Sequence, residues 1–247
     1  MRITKFGHAC VRLEKSGAAI VIDPGRMTPE PDALTGAEAV LITHEHFDHF
    51  DPERLRGSRS AVYTCAGVAR HLSELGDRVH VVRGGDRFSV AGFEVSVVGD
   101  KHHFSHPDVP PVDNVGFLVD GEVLHPGDAL TVVDAPTLLL PGQAPWLTVP
   151  DMIGYLRRMT PHRAYAVHDG LLNEWGLKVL DDVLAGEAER AGADVRRLRP
   201  GESVEVPGET RLLRQDAVGQ RAGHVEPRVS RGGGFRSRRQ PPEPLSS

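Results

Sequence analysis

The chain has few cysteines, few aromatic residues and no long apolar runs, and each shortage excludes something. Its 247 residues hold two cysteines, two tryptophans and three tyrosines, and aromatic residues make up 5% of the total. Two thiols cannot make a multi-bridge scaffold. Cys10 and Cys65 each lie in an apolar run and read as reduced, buried thiols of a reducing compartment. No apolar run approaches the roughly 18 residues of a membrane helix. The opening MRITKFGHAC has no basic-then-apolar leader, so a cytoplasmic protein with no membrane partner is expected. A positive net charge is missing too. The formal charge of −5 gives no general attraction to a phosphate backbone, so nucleic acid is not an expected partner.

What the chain has in excess is histidine, 13 residues of it. Histidine is the commonest metal ligand and carries protons near neutral pH. A hydrophobic content of 39% supports one substantial core or two small ones. Composition shifts near the end, where residues 219–247 hold six Arg, two Glu, three consecutive Gly and almost no aliphatic side chain. A domain over residues 1–208 is therefore expected, followed by an extension over 209–247 that is disordered from about 219. Residues 1–218 carry 23 Lys and Arg against 32 Asp and Glu, a net charge of −9.

Short β-branched runs predict strands at Arg2–Phe6, Ala18–Ile22, Ala39–Thr43, Ala61–Thr64, Val79–Val82, Phe93–Val98, Val115–Val119, Glu122–His125 and Ala164–Val167. Helical spacing covers Ala66–Leu75, Val149–Met159 and Leu177–Ala191, the last closed by Gly192. Strands dominate the first half and the second mixes both, which implies packed sheets with helices outside. No sequence repeat at a fixed period is present.

Residues 40–51 read VLITHEHFDHFD, an apolar strand running into three histidines and two acids. A solvated charged cluster is the plain alternative, but such clusters seldom use histidine. On an extended segment His44 and His46 direct both rings to one side, and Glu45 points elsewhere. Beyond a turn, Asp48 and His49 can serve a second centre. One motif cannot complete two coordination spheres, so more ligands are needed downstream. His102 in VVGDKHHFSHPD, Asp128 in VLHPGDAL and His168 in AYAVHDGLL each sit just past an expected strand, where α/β folds place chemistry.

These seven residues resemble the ligand set of the metallo-β-lactamase superfamily, and the likeness extends over residues 1 to about 208. GHAC near the start, IDP at Ile22–Pro24, PDVPPVDNVGFLVDG and HPGD at His125–Asp128 resemble the branch containing bacterial ascorbate-6-phosphate lactonase and many uncharacterised hydrolases. The resemblance implies an α/β fold, a four-layer αββα sandwich, with a dinuclear site along one edge of its two sheets. It implies His44, His46 and His102 around one metal, Asp48, His49 and His168 around the other, and Asp128 bridging both. Asp23 matches an acid that supports the site from behind a ligand ring, and reads equally as a turn residue before Pro24. His102, His103 and His106 compete for one position, and His102 takes the place directly after the strand. His103 and His106 then either line the substrate pocket or belong only to the loop. His125 is expected to be structural, in the turn that aims Asp128.

Two divalent ions roughly 3.5 to 4 Å apart lower the pKa of a shared water toward about 7 and give a hydroxide nucleophile. The expected function is hydrolysis of a small ester, lactone or phosphodiester, with Asp48 orienting the hydroxide and His8 or His103 protonating the leaving oxygen. Mixed imidazole and carboxylate ligands favour Zn²⁺, with Mn²⁺ and Fe²⁺ open. Trp146, in LPGQAPWLTVPD, either walls the pocket or packs under the following helix. Neither cysteine is placed to be the ligand of the commonest β-lactamases, and the acidic body lacks the RNA-gripping arm of tRNA-processing relatives. A small, anionic substrate is therefore expected. The alternatives are a diiron redox protein of the same fold and a non-catalytic metal-binding module.

Overall fold

Strands that are apolar at every position must be covered on both faces, and two such strands sit at the middle of this fold. The computed structural model describes residues 1–29 and 31–207. The extension over 209–247, with its tail from about 219, lies outside the described residues. One sheet has the order β14-β1-β2-β3-β4-β5-β6. Its strands are β1 (Arg2–Gly7), β2 (Cys10–Lys15), β3 (Ala18–Ile22), β4 (Ala39–Ile42), β5 (Ala61–Thr64), β6 (Val79–Val81) and β14 (Ser203–Glu205). The other sheet has the order β13-β12-β11-β10-β9-β8-β7. It contains β7 (Arg87–Val90), β8 (Phe93–Val98), β9 (Gly116–Val119), β10 (Val123–His125), β11 (Thr137–Pro141), β12 (Arg163–Val167) and β13 (Asp194–Arg197).

The two sheets share one plan. In each, the first four strands in space pair antiparallel and the rest add in parallel: β14 to β3 and then β4 to β6, β7 to β10 and then β11 to β13. The duplication is one of topology, without the sequence repeat that would announce it.

Side-chain alternation assigns the layers. Ile3, Leu13, Ile20, Ile22 and Leu41 of the first sheet join Phe93, Phe117, Leu139, Tyr165 and Val167 of the second in one core. Leu138, Leu140, Ala164 and Ala166 point the other way, onto Met152, Tyr155 and Leu156 of α3 (Val149–Met159) and Leu180 and Leu184 of α4 (Glu174–Ala191). Two short helices, α1 (Pro52–Arg56) and α2 (Ala66–Ala69), bring Leu55 and Val68 to the first sheet. This is the αββα sandwich expected. No helix among the described residues is long and apolar enough to cross a membrane.

Three expectations change. The helix over Ala66–Leu75 stops at Ala69, because His71 and Leu72 reach back only three residues, to the Val68 and Ala69 carbonyls. A 3₁₀ segment follows, in which Gly76 takes φ 56°. The helix expected from Leu177 begins at Glu174, capped by the Asn173 side chain on the Gly176 amide at 2.9 Å. Five strands were not expected: β2, β7, β11, β13 and β14. The edge members β7 and β14 are short and largely polar, and β11 ends on Pro141.

The two outer helices are joined by charge as well as packing. Arg157 of α3 and Arg190 of α4 both donate to the Glu187 carboxylate, at 2.5 to 3.0 Å. The Arg157 hydrogen bonds hold its pKa down at about 2, against an ordinary value of 4.5. Its stabilising effect is complete above pH 4.5 and is lost as pH falls toward 2. Glu187→Gln should lower the melting temperature by roughly 2 °C at pH 7, since both arginines are half exposed and screened. The difference between the two melting curves should narrow as pH falls from about 4.5 toward 2; a gap as wide at pH 2 as at pH 7 would contradict this account.

Candidate metal centre

Six loops leave strand ends along one edge of the sandwich, and each delivers polar groups to the same place. His8 follows β1, Asp23 follows β3 and His44 to His49 follow β4. From the second sheet come His102 after β8, Asp128 after β10 and His168 after β12. Two groups result: His44, His46, His102 and Asp128, and beside them His8, Asp48, His49 and His168, each with ligand atoms within 4.8 Å of one another. All seven residues of the expected ligand set are brought together; Asp128, expected to be shared, falls in the first group, and His8 joins the second. All but His46 are buried.

Asp128 stands between the groups. Its Oδ2 lies 3.3 Å from His102 Nε2 and 3.2 Å from His168 Nε2, while Oδ1 lies 3.1 Å from His49 Nε2. Asp48 Oδ2 is 3.3 Å from His168 Nε2, and His44 Nε2 is 3.1 Å from His46 Nδ1. Two close approaches hold these loops. A Cβ on Gly25 would come within 2.1 Å of the Asp48 carbonyl oxygen, so only glycine lets that strand-end loop lie against the ligand turn. At Gly127, φ is 63° and a Cβ would lie 2.4 Å from Asn114 Oδ1, the atom that accepts the Asp128 amide at 3.0 Å.

The far side of each ring sets its tautomer. His49 Nδ1 donates to Asp23 Oδ2 at 2.7 Å. The Thr43 hydroxyl donates to the same oxygen at 2.7 Å, and therefore accepts from His44 Nδ1 at 3.0 Å. One carboxylate thus orients a ring in each group, directly at His49 and through Thr43 at His44. His102 Nδ1 donates to its neighbour's carbonyl at 2.6 Å and His168 Nδ1 to the Gln143 carbonyl at 2.5 Å. In the neutral form that a metal requires, four rings would present Nε2 lone pairs. His8 differs: its Nδ1 accepts the Gly170 amide at 3.0 Å, so the proton sits on Nε2 and points at Asp48 Oδ2, 3.1 Å away.

These lone pairs test whether a metal fits. Six buried side-chain polar atoms among the described residues have no hydrogen-bond partner, and four are His49 Nε2, His102 Nε2, His168 Nε2 and Asp128 Oδ1. Leaving a buried acceptor unpaired costs about 1 to 3 kcal/mol, so acceptors converging in this way need a cation. The donors are nitrogen and oxygen without thiolate, a set that suits Zn²⁺, Mn²⁺ or Fe²⁺.

Charge is tightly coupled here. Burial, aided by the neighbouring His49, holds the His44 pKa well below its usual value, and burial also lowers that of His8. Burial pulls down on His49 as well, but Asp128 and Asp23 flank it and win, leaving its pKa well above normal. His168 is raised to about 9, because Asp128 and Asp48 outweigh its burial. Burial pushes the Asp128 pKa up, yet His49 and His168 hold it well below the carboxylate range, and hydrogen bonds from His168 and His8 do so for Asp48.

Around the centre, Trp146 is half-buried and faces the ligands: its Nε1 donates to Asp128 Oδ2 at 3.0 Å. His103 stacks on the indole at 5.0 Å, and its Nδ1 donates to the Phe104 carbonyl. His106 is exposed and accepts the Asp108 amide at 3.1 Å; among the described residues it has no ring or ion-pair contact with the cluster. His125 is structural as expected, bonding the Ala9 carbonyl and the Gly127 amide. Glu45 turns away to Arg70. Sequence reasoning missed Thr43, Asn114 and Gln143, whose contributions pass through other residues. It also missed a buried ion pair beneath His168, in which Lys5 Nζ lies 2.7 Å from Asp169 Oδ2.

The Beta-lactamase superfamily domain matches residues 2–160. Protein Rv0786c of Mycobacterium tuberculosis is 34% identical over 184 residues, 70% of this chain and 85% of its own length. A UPF0173 metal-dependent hydrolase of Flavobacterium johnsoniae is 30% identical over 131 residues, 49% of this chain and 58% of its own. Among solved structures, Igni18, a metallo hydrolase from Ignicoccus hospitalis, superposes with a TM-score of 0.62 at 22% identity, covering 82% of this chain and 97% of that one. A family match across most of the described residues, a layered sandwich and a histidine-rich edge agree, and the chain belongs to the beta-lactamase superfamily.

Proposed function

We propose that this metal-dependent hydrolase cleaves a small ester, lactone or phosphodiester with two divalent cations bound at the strand-end cluster. The observation that carries the reading is the set of four buried, partnerless ligand atoms aimed at one space. His44, His46 and His102 would hold one ion and Asp48, His49 and His168 the other, with Asp128 shared between them. Zinc suits the donors best, with manganese and iron as alternatives. Such a pair supplies a hydroxide nucleophile at neutral pH and polarises the oxygen of the electrophile.

The protein's own groups do the rest. Asp23, directly and through Thr43, keeps His49 and His44 in the Nε2-presenting tautomer. His8 spends its one proton on Asp48, so it orients that carboxylate and is not free to protonate a leaving group. His103 is the better candidate: with Nδ1 donating to a backbone carbonyl, its imidazolium form would have Nε2–H free to donate, and its half-exposed ring stands against Trp146. Two ions add four positive charges to a body of net −9, making the cleft the place where a small anion is held.

Three outcomes are expected. Zinc or manganese should bind at close to two ions per chain by elemental analysis and raise the melting temperature; fewer than one bound ion and no stabilisation would sink the proposal. Because His168 has a pKa of about 9 in the metal-free chain, loading must expel its proton below that pH. Proton release per ion, followed in weakly buffered solution, should therefore shrink as pH rises through 9. Asp128→Ala should lower turnover of a phosphodiester or lactone reporter by at least about a hundredfold with the circular dichroism unchanged, and a wild-type rate would exclude the shared-ligand role.

A further inference from the structure

The turn between β11 and α3 is built to touch both halves of the centre. Gly142 donates to the Val167 carbonyl at 2.8 Å, which anchors the start of the turn on β12. The next residue, Gln143, offers its carbonyl to His168 Nδ1. Ala144 and Leu147 then close a tight turn, with the Leu147 amide on the Ala144 carbonyl at 3.0 Å and Pro145 and Trp146 at its tip. Thr148 caps α3 by accepting the Asp151 amide at 3.3 Å, so the turn is held at both ends. Its one large side chain is delivered to the other ligand group. The Trp146 indole meets the His102 ring edge-on at 5.5 Å and 71°, is stacked by His103 at 25°, and donates Nε1–H to Asp128 Oδ2.

We infer that Trp146 is a positioning residue for the metal centre: its indole N–H fixes the rotation of the shared Asp128 carboxylate, and through Gln143 the same turn sets His168. This rests on the dinuclear reading above. The chemistry favours the assignment over a simple wall. An indole nitrogen only donates, so it cannot ligate a metal and suits only an acceptor. Asp128 Oδ2 has His102 and His168 Nε2 on its other sides, at 3.3 and 3.2 Å, and both rings would be given over to metal as ligands. Trp146 is the donor that does not depend on the protonation or ligation of those rings, and its Nε1–H holds this oxygen at 3.0 Å. A hydrogen bond to a carboxylate is among the stronger ones, and the stacked ring cannot turn away without leaving His103.

The test uses the full chain and cobalt(II) as the probe, with Trp175→Phe as the background so that Trp146 is the only emitter. Trp175 is 70% exposed and lies outside the centre. In that background cobalt should quench the Trp146 emission in step with the growth of the cobalt d–d bands. Trp146→Phe, made in the unaltered chain, keeps the ring and removes the N–H. It should weaken cobalt binding about tenfold and shift the d–d spectrum, and Trp146→Ala should do no worse on either measure. If Trp146→Phe leaves titration and spectrum unchanged, and only Trp146→Ala raises KM for bis(p-nitrophenyl) phosphate, the indole is a wall and the inference is wrong. Failure of the unaltered protein to bind cobalt at all would instead overturn the dinuclear reading, and this inference with it. Melting curves of both variants separate loss of metal from loss of fold.

Discussion

The structure turns on the cost of taking imidazoles and carboxylates out of water and packing them within 4.8 Å of one another. Groups of this kind are stable only when their far sides are satisfied and their near sides share a partner. Everything close to the cluster serves the first requirement: Asp23 and Thr43 behind two rings, backbone carbonyls behind His102 and His168, the Gly170 amide behind His8. The second is left to the cation, which is why acceptors lack partners here and almost nowhere else among the described residues.

Backbone strain follows the same constraint. Among the described residues, seven non-glycine positions have positive φ, and His8, Asp23 and His168 are among them, at 43°, 51° and 61°. The other four, Ser16, Ala91, Asp120 and Thr160, sit in turns or at a helix end. Conformations of this kind persist only where surrounding contacts over-determine them. For His168 those contacts come from β1 in the opposite sheet. His168 donates its amide to the His8 carbonyl, and its neighbour Asp169 is gripped by Lys5, which also reaches the Ala166 carbonyl at 3.3 Å. Burial lowers the Lys5 pKa, but Asp169 opposes that shift and Arg197 stands nearby. A buried pair of this sort adds little net stability and much registration. Here it registers one sheet against the other at the point where their ligands meet.

How much of this the sequence displays depends on how far apart the cooperating residues are. His44, His46, Asp48 and His49 are legible because their spacing alone puts them in one place. His102, Asp128 and His168 are legible one step later, since each follows an apolar run that ends in a strand. His8 shows up as a lone histidine, but its role hangs on the Gly170 amide 162 positions away, which no local pattern reveals. Trp146 is visible as an aromatic residue in a proline-containing loop, and only the tight turn of Ala144 and Leu147 shows which way it faces. The matching plan of the two sheets is invisible because topology, not residue identity, is what repeats. Short polar edge strands escape for a related reason: they bury too little to need an apolar pattern.

One pairing gives the fold a timetable. β14 lies beside β1, with Ile3 opposite Val204, and the first residue exchanges backbone hydrogen bonds with Val206. β1 therefore has one side open until the chain has been translated to β14. Lys5 waits similarly for Asp169, and the histidines after β4 wait for His168. A chain growing at about 5 to 20 residues per second spends on the order of ten seconds with an incomplete sheet edge and half a ligand set. Synthesis thus sets the order of events, and a metal captured before β8 and the loop after it emerge would meet only the contiguous candidate ligands of residues 44–49.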